Sequence, residues 1–305
     1  MAEGDGLSRF MAQRSTSGRA RGGRRPSGAL LGVAPFFVYT TVFLIIPTLV
    51  VVVGAFFTPQ GRPTTAYVQT LTEPVFLEAL KKSVLLSFYS AVIAGVVGGL
   101  LAYAISTAKP NGLLKRFVTS LSGVLAQFGG VALAFAFIAS FGFTGLLTTW
   151  LGKAGLDLSG SLWLYEWDKG LLLVYLYFQI PLMVIVFLPA VEGIRSQWRE
   201  ATETLGGTTW TFWRKVGLPI LAPSFAGALL LLFTNAFSAY ATAAALITQA
   251  SPLVPQQIAS TFSSEVLLGQ ENVGKAMALA MVVVVAIAMA IYALIDRRAS
   301  KWLQR

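Results

Sequence analysis

Along the 305-residue chain, apolar residues do not keep to one helical face with a polar face opposite, as they would in a helix bordering water; they run on almost unbroken. Six stretches are long enough to cross a bilayer, which takes roughly 20 residues of helix: 29–57, 83–107, 118–142, 170–191, 221–247 and 276–295. None of them contains Lys, Arg, Asp or Glu. The pattern predicts an all-α membrane protein of six transmembrane helices. The first stretch is too long for a signal-peptide core of roughly 7–15 residues. Pro35 and Pro47 lie inside it, and a kinked helix with its freed backbone groups re-satisfied tolerates them.

Charge sorted by loop adds an orientation. Segments 1–28, 108–117, 192–220 and 296–305 fall on one side of a six-span chain and hold 17 Lys/Arg against 6 acidic residues. Segments 58–82, 143–169 and 248–275 fall on the other and hold 6 Lys/Arg against 7 acidic residues. By the positive-inside rule both termini are expected in the cytoplasm. The net charge of +10 is then a topology signal, not the mark of a nucleic-acid partner. Arg9, Arg14, Arg19, Arg21, Arg24 and Arg25 sit among Gly, Ser and Ala, so 1–28 reads as a disordered basic tail. Residues 296–305 read as a short basic cytoplasmic C-terminus. On the other side, Trp150, Trp163 and Trp167 read as interfacial anchors. Pro252, Pro255 and Gln256–Gln257 argue that part of their loop is not membrane-inserted.

Composition removes whole classes of chemistry. Charged residues make up 12% of the chain, about half the usual soluble share. Histidine and cysteine are both absent, which excludes disulfides, Cys/His metal sites, thiol nucleophiles and a Ser-His-Asp triad. No Gly-x-x-x-x-Gly-Lys-Ser/Thr phosphate loop is present either. An enzyme would have to assemble its chemistry from loop residues. A six-span carrier or channel fits the hydropathy, but ion-coupled carriers place ionisable groups near the midplane, and the spans hold none.

The informative loop is 192–220. Ser196 can N-cap a helix running to about Leu205, with Glu200 near its first turn. Gly206-Gly207 supplies a left-handed stop, Thr208 or Thr209 caps a second short helix, and Pro219 is expected to follow its end. Large apolar residues (Trp198, Leu205, Trp210, Phe212, Trp213) alternate with charges such as Arg199 and Arg214. Such a surface suits either a docking face or an amphipathic helix lying on lipid.

Within this loop Glu200-Ala201-Thr202, three residues, Gly206, nine residues, Val216, one residue, and Leu218-Pro219 resembles the signature loop of permease subunits in binding-protein-dependent ABC importers. Thr202 and Val216 replace an Ala and an Ile of the family pattern, and every spacing is kept. The resemblance implies the type I importer permease fold, with the loop as coupling element seated in a cleft of an ATP-binding subunit. It implies that Glu200 pairs with a basic group there, Ala201 allows close approach, Gly206 makes the turn and Leu218-Pro219 set the exit into the fifth span. It implies partners too: a second, different permease chain, two ATPase subunits that use the ATP and Mg, and an external binding protein. This chain would bind no cofactor and hydrolyse nothing.

The runs Phe128–Ile138, Gly142–Leu147, Tyr177–Pro181 and Thr234–Thr242 are similar to polyamine, ferric-iron and phosphonate-type permeases more than to the sugar-type permeases that are the alternative. On the fifth span Thr234, Ser238 and Thr242 recur every four residues and are expected on one helical face, with Asn235 beside them. Gln127 and Gln179 are polar groups in the third and fourth spans. Each suits a helix–helix contact or a translocation path, and as a set they are candidates for the path.

Overall fold

The structure is a computed structural model that describes residues 27–58, 60–109, 112–155, 162–247, 253–263 and 271–303. The basic tail expected at 1–28 lies almost wholly outside these residues. Regular structure among the described residues is helical, and six stretches are long and apolar enough to cross a membrane: Val33–Gly54, Pro74–Ser106, Gly130–Lys153, Gly170–Glu192, Thr209–Ser238 and Asn272–Ile295. The number matches expectation, and several boundaries do not.

The chain divides into two units, residues 1–50 and 51–305. In the first, α1 (Ser27–Thr40) passes through a π-helical turn, Thr41–Ile45, into α2 (Ile46–Gly54), which ends inside the second unit. The wide turn has a cause. Pro47 has no N–H and its ring crowds the preceding turn, and just before it the Ile46 N–H reaches back to the Thr41 carbonyl. The helix is re-satisfied, not broken. A one-turn helix, α3 (Ala66–Gln69), follows it in the chain.

The second unit is built around α8 (Gly170–Glu192), whose buried residues include Leu171, Val174, Tyr175, Gln179, Met183, Val184 and Val191. Against it pack α4 (Pro74–Ser106), α5 (Leu113–Gln127) and α11 (Leu218–Ser238). The α4 face that meets α8 and α11 is made of small residues: Ala91, Ala94, Gly95, Gly98, Gly99 and Ala102 are all buried. A Cβ on Gly98 would lie 2.6 Å from Met183 Cβ and 2.8 Å from the Ile180 carbonyl. Without a hydrophobic drive between helices in lipid, such close backbone approach is how they gain contact.

Three spans differ from the apolar runs that mark them. The second begins at Pro74 instead of 83, because Pro at the first turn and a Glu78–Lys82 pair (2.7 Å, i,i+4) carry the helix beyond its apolar part. The run at 118–142 is not one helix: α5 stops at Gln127, and α6 (Gly130–Phe141) starts afresh through Gly130 at φ +74°. The long apolar stretch continues instead into α7 (Leu146–Lys153). The run at 221–247 is likewise divided. Ala239 leaves α11 in an extended conformation, and α12 (Ala241–Leu246) packs against α6.

The last helix, α14, spans Glu271–Leu303 and so continues through most of the expected C-terminal tail. Its first turn is tied back: Asn272 Nδ2 donates to the Phe57 carbonyl (3.0 Å), and Lys275 Nζ donates to Asn272 Oδ1 (2.8 Å). The neighbouring α13 (Val254–Ser263) docks on α4 through the Val254 N–H, which donates to the buried Ser83 Oγ at 3.0 Å.

Candidate functional site: a helix–turn–helix loop and a polar break

The signature loop folds as α9 (Ser196–Thr204), a glycine turn, α10 (Thr209–Phe212), a second π-helical turn, Trp213–Gly217, and then α11. Two expectations are corrected. Ser196 is the first helical residue and Arg195 is the N-cap, without a side-chain bond, so Glu200 opens the second turn. Nor does Pro219 end a helix: the path is helical from Thr209 to Ser238. The Leu218 N–H bonds the Trp213 carbonyl, five residues back, immediately before the proline. Pro47 and Pro219 are thus accommodated by the same device.

The turn itself forms as expected. Gly206 has φ +78°, its N–H donates to the Glu203 carbonyl (2.9 Å), and the Gly207 N–H donates to the Thr202 carbonyl (2.8 Å). This reciprocal pair closes the end of α9 as a Schellman motif. Gly207 has its own requirement, since a Cβ there would sit 2.7 Å from Thr202 Cγ2. Thr202 is held by its hydroxyl, which donates to the Trp198 carbonyl at 2.8 Å. Thr208 is the cap of α10 and accepts from the Thr211 N–H at 3.3 Å.

The loop has an inner and an outer face. Phe212 is buried, and Trp213 stands edge-on to Tyr103 of α4 with ring centroids 5.2 Å apart. A Lys115–Glu192 ion pair joins the start of α5 to the end of α8. Tyr103 and Lys115 escaped the sequence reading because only the fold brings them to the loop. Outward face Glu200, Ala201, Leu205 (87% exposed) and Trp210 (70% exposed). Arg199 lies 3.5 Å from Glu203, whereas the described residues offer Glu200 no ion-pair partner. Of the five large apolar residues expected on the surface, only Leu205 and Trp210 are fully presented; Trp198, Trp213 and Phe212 turn wholly or partly inward.

The polar residues of the spans separate into two groups. Gln127, Asn235, Ser238 and Thr242 line one open cavity of about 360 Å³ with Gly130, Phe178 and Tyr240, at the point where both helices break. Gln179 and Thr234 do not line it. Gln179 is fully buried, its Nε2 donating to Ser90 Oγ at 2.7 Å while Oε1 has no partner. Thr234 donates to carbonyls of its own helix. The single face expected for Thr234, Ser238 and Thr242 does not exist, because the break at Ala239 turns Thr242 toward Gly130. Tyr175 caps that break, its hydroxyl donating to the Ala239 carbonyl at 2.9 Å. No Lys, Arg, Asp or Glu lines the cavity. Among the described residues no cluster of metal-ligating side chains occurs.

Comparison with known families covers both this loop and the polar break. The model of the family described as binding-protein-dependent transport system inner membrane component matches residues 94–301. The chain belongs to this family. It is similar to the sulfate transport system permease protein CysT of Escherichia coli strain K12, 27% identical over 57% of this chain and 60% of that one. It thus spans less than two thirds of that relative. It is also similar to the spermidine/putrescine transport system permease proteins PotC and PotB of Haemophilus influenzae. PotC is 24% identical over 86% of this chain and 95% of its own length, PotB 23% over 90% and 94%. In fold it resembles a chain of a bacterial ABC transporter that imports alginate (TM-score 0.69, 17% identity, 88% of this chain and 95% of that one). It also resembles a chain of the MetNI methionine ABC transporter in an inward-facing conformation (0.52, 16%, 75% and 99%). The expected resemblance to importer permeases and the all-α, six-span fold therefore hold.

Proposed function

We propose that this inner-membrane component forms one half of a solute pathway, pairs with a second permease chain, and is driven by two ATP-hydrolysing subunits docked on α9 and α10. The observation that carries this reading is the outer face of the loop. Leu205 and Trp210 are large, apolar and exposed beside Glu200, a carboxylate with no ion-pair partner among the described residues. Such a face is completed by another protein, with the charge setting register. Ala201, exposed and without a bulky side chain, allows close approach; Gly206 and Thr202 shape the turn; Val216, Leu218 and Pro219 carry the loop into α11 through the π turn. Arg199 and Arg214 flank it.

In this reading the loop and both termini are cytoplasmic, and solute arrives from an external binding protein. The pathway runs past Gln127, Asn235 and Ser238, which offer amides and a hydroxyl but no charge. Such a lining conducts a polar solute without selecting the sign of its charge, so selection rests with the binding protein. A polyamine is the first solute to test, because the relatives aligned over nearly their whole length are spermidine/putrescine permeases; phosphonate and ferric iron follow.

The test is Glu200→Arg and Gly206→Val in the assembled complex. Both chains should insert in the membrane normally while ATPase co-purification or uptake is abolished. Normal co-purification and uptake in both variants would overturn the proposal.

A further inference from the structure

A second open cavity, about 420 Å³, lies on the inner side of the same loop, between the end of α4, the start of α5 and the start of α9. Its polar lining is predominantly cationic. Lys115, Arg195 and Arg199 face it with a single carboxylate, Glu192, which Lys115 already pairs. Two guanidinium groups therefore remain, carrying one net positive charge once Glu203, which lies beside Arg199, is counted. Arg195 has no carboxylate partner among the described residues, and Arg199 is only loosely engaged, its Nε 3.5 Å from Glu203. Of the aliphatic hydroxyls on the wall, Ser106 and Thr107 donate to carbonyls of their own helix (both 2.7 Å), which leaves Ser196 beside the arginines, with the Tyr103 hydroxyl and the Trp213 indole N–H as further neutral donors.

A pocket with donors to spare and surplus positive charge takes an anion. Paired guanidinium forks match the oxygens of a phosphate, which they bind bidentately. The remaining wall is apolar and aromatic, Tyr103 and Trp213 among it, at the end of a membrane-spanning helix. We infer that this cavity is a phosphate-binding site formed by Arg195, Arg199 and Ser196. The phosphate belongs to an anionic lipid headgroup or to a soluble phosphate compound, and in either case it bridges α9 to the ends of α4 and α5. The orientation proposed above puts this cavity at the cytoplasmic leaflet; binding in micelles does not depend on that orientation.

The test uses the full-length chain purified in zwitterionic micelles. Phosphatidylglycerol is titrated in one arm and followed by native mass spectrometry; inorganic phosphate is titrated in the other and followed calorimetrically. One ligand per chain is expected in at least one arm, weakened about tenfold or more in the Arg195→Gln/Arg199→Gln variant, which removes two charge-assisted contacts. Arg195→Lys, which keeps the charge but not the fork, should fall between. Lys109→Gln/Arg116→Gln removes two exposed charges nearby that do not line the cavity, and should bind as the parent does. Retention of the lipid identifies a headgroup site, and binding of inorganic phosphate alone identifies a soluble ligand. Absence of binding in both arms, binding indifferent to the arginines, or equal loss in the Lys109/Arg116 control would overturn the inference.

Discussion

Thr242 grips Gly130 from both sides of one residue: its Oγ1 accepts from the Gly130 N–H at 2.9 Å and reaches the Gly130 carbonyl at 3.3 Å. The two residues belong to separate broken helices, 112 positions apart in sequence, and each supplies what the other lacks. A helix starting inside an apolar region has orphan N–H groups and no water to satisfy them. Here a threonine from the second broken helix takes that place.

Thr242→Val keeps the shape and removes both bonds. Loss of about 1–2 kcal/mol is expected, seen as a lower thermal midpoint in micelles, with Thr242→Ser restoring most of it. An unchanged midpoint in Thr242→Val would show that the contact carries no stability.

This junction also marks where the sequence stops being readable. Residues 118–142 and 221–247 are apolar throughout, and hydropathy has no means of registering a break inside an apolar run. The Gly129-Gly130 pair was a visible signal for the first break, since only glycine readily takes φ near +74°. Nothing comparable marks Ala239. The signature loop was legible to the level of its turn, because Gly206, Gly207 and Thr208 act locally. Its inner face was not, because Trp213 against Tyr103 and Lys115 against Glu192 are matters of tertiary packing. Proline misled once: Pro219 reads as a stop, but a π-helical turn ending just before it lets the helix continue.

Small residues on α4 should be intolerant of size. Gly98→Leu drives its side chain into Met183 and the Ile180 backbone, and a loss of at least about 1–3 kcal/mol is expected from overpacking. Gly123→Ala on α5 meets nothing within 4 Å, so relief of glycine's backbone entropy should stabilise by about 0.5–1 kcal/mol. Thermal midpoints of the two variants should therefore move in opposite directions. An unchanged or raised midpoint in Gly98→Leu would contradict the close approach of α4 and α8, and a lowered one in Gly123→Ala would contradict the open space beside Gly123.

Orientation is open to a clean experiment because the chain has no cysteine. Single substitutions Leu205→Cys and Gln60→Cys, both at exposed positions, give unambiguous labelling sites. A membrane-impermeant maleimide should label Gln60→Cys on intact cells and Leu205→Cys only after permeabilisation. The opposite pattern would invert the proposed topology, and with it the side proposed for ATPase docking.

Gln179 and Asn235 are both amides within spans, yet they should respond in opposite ways. The Gln179 side chain is sealed between α8 and α4, and its unpartnered Oε1 already costs stability. Ser90 keeps its own bond to the Ser87 carbonyl (3.2 Å) without it. Gln179→Leu should therefore change stability by less than about 1 kcal/mol, since one hydrogen bond and one unsatisfied group disappear together, and uptake should persist. Gln179→Glu, by contrast, places a carboxylate where no solvent reaches, and should lower the thermal midpoint sharply unless it remains protonated. Asn235 is exposed to the cavity at the helix breaks. Asn235→Leu should leave the thermal midpoint alone and, if the proposed pathway is right, reduce both uptake and the binding-protein-stimulated ATPase rate, because the change falls on the lining proposed for the solute. Equal loss of uptake in Gln179→Leu and Asn235→Leu at unchanged stability would mean that the buried amide also acts in transport, and that the path is not confined to the cavity where the two helices break.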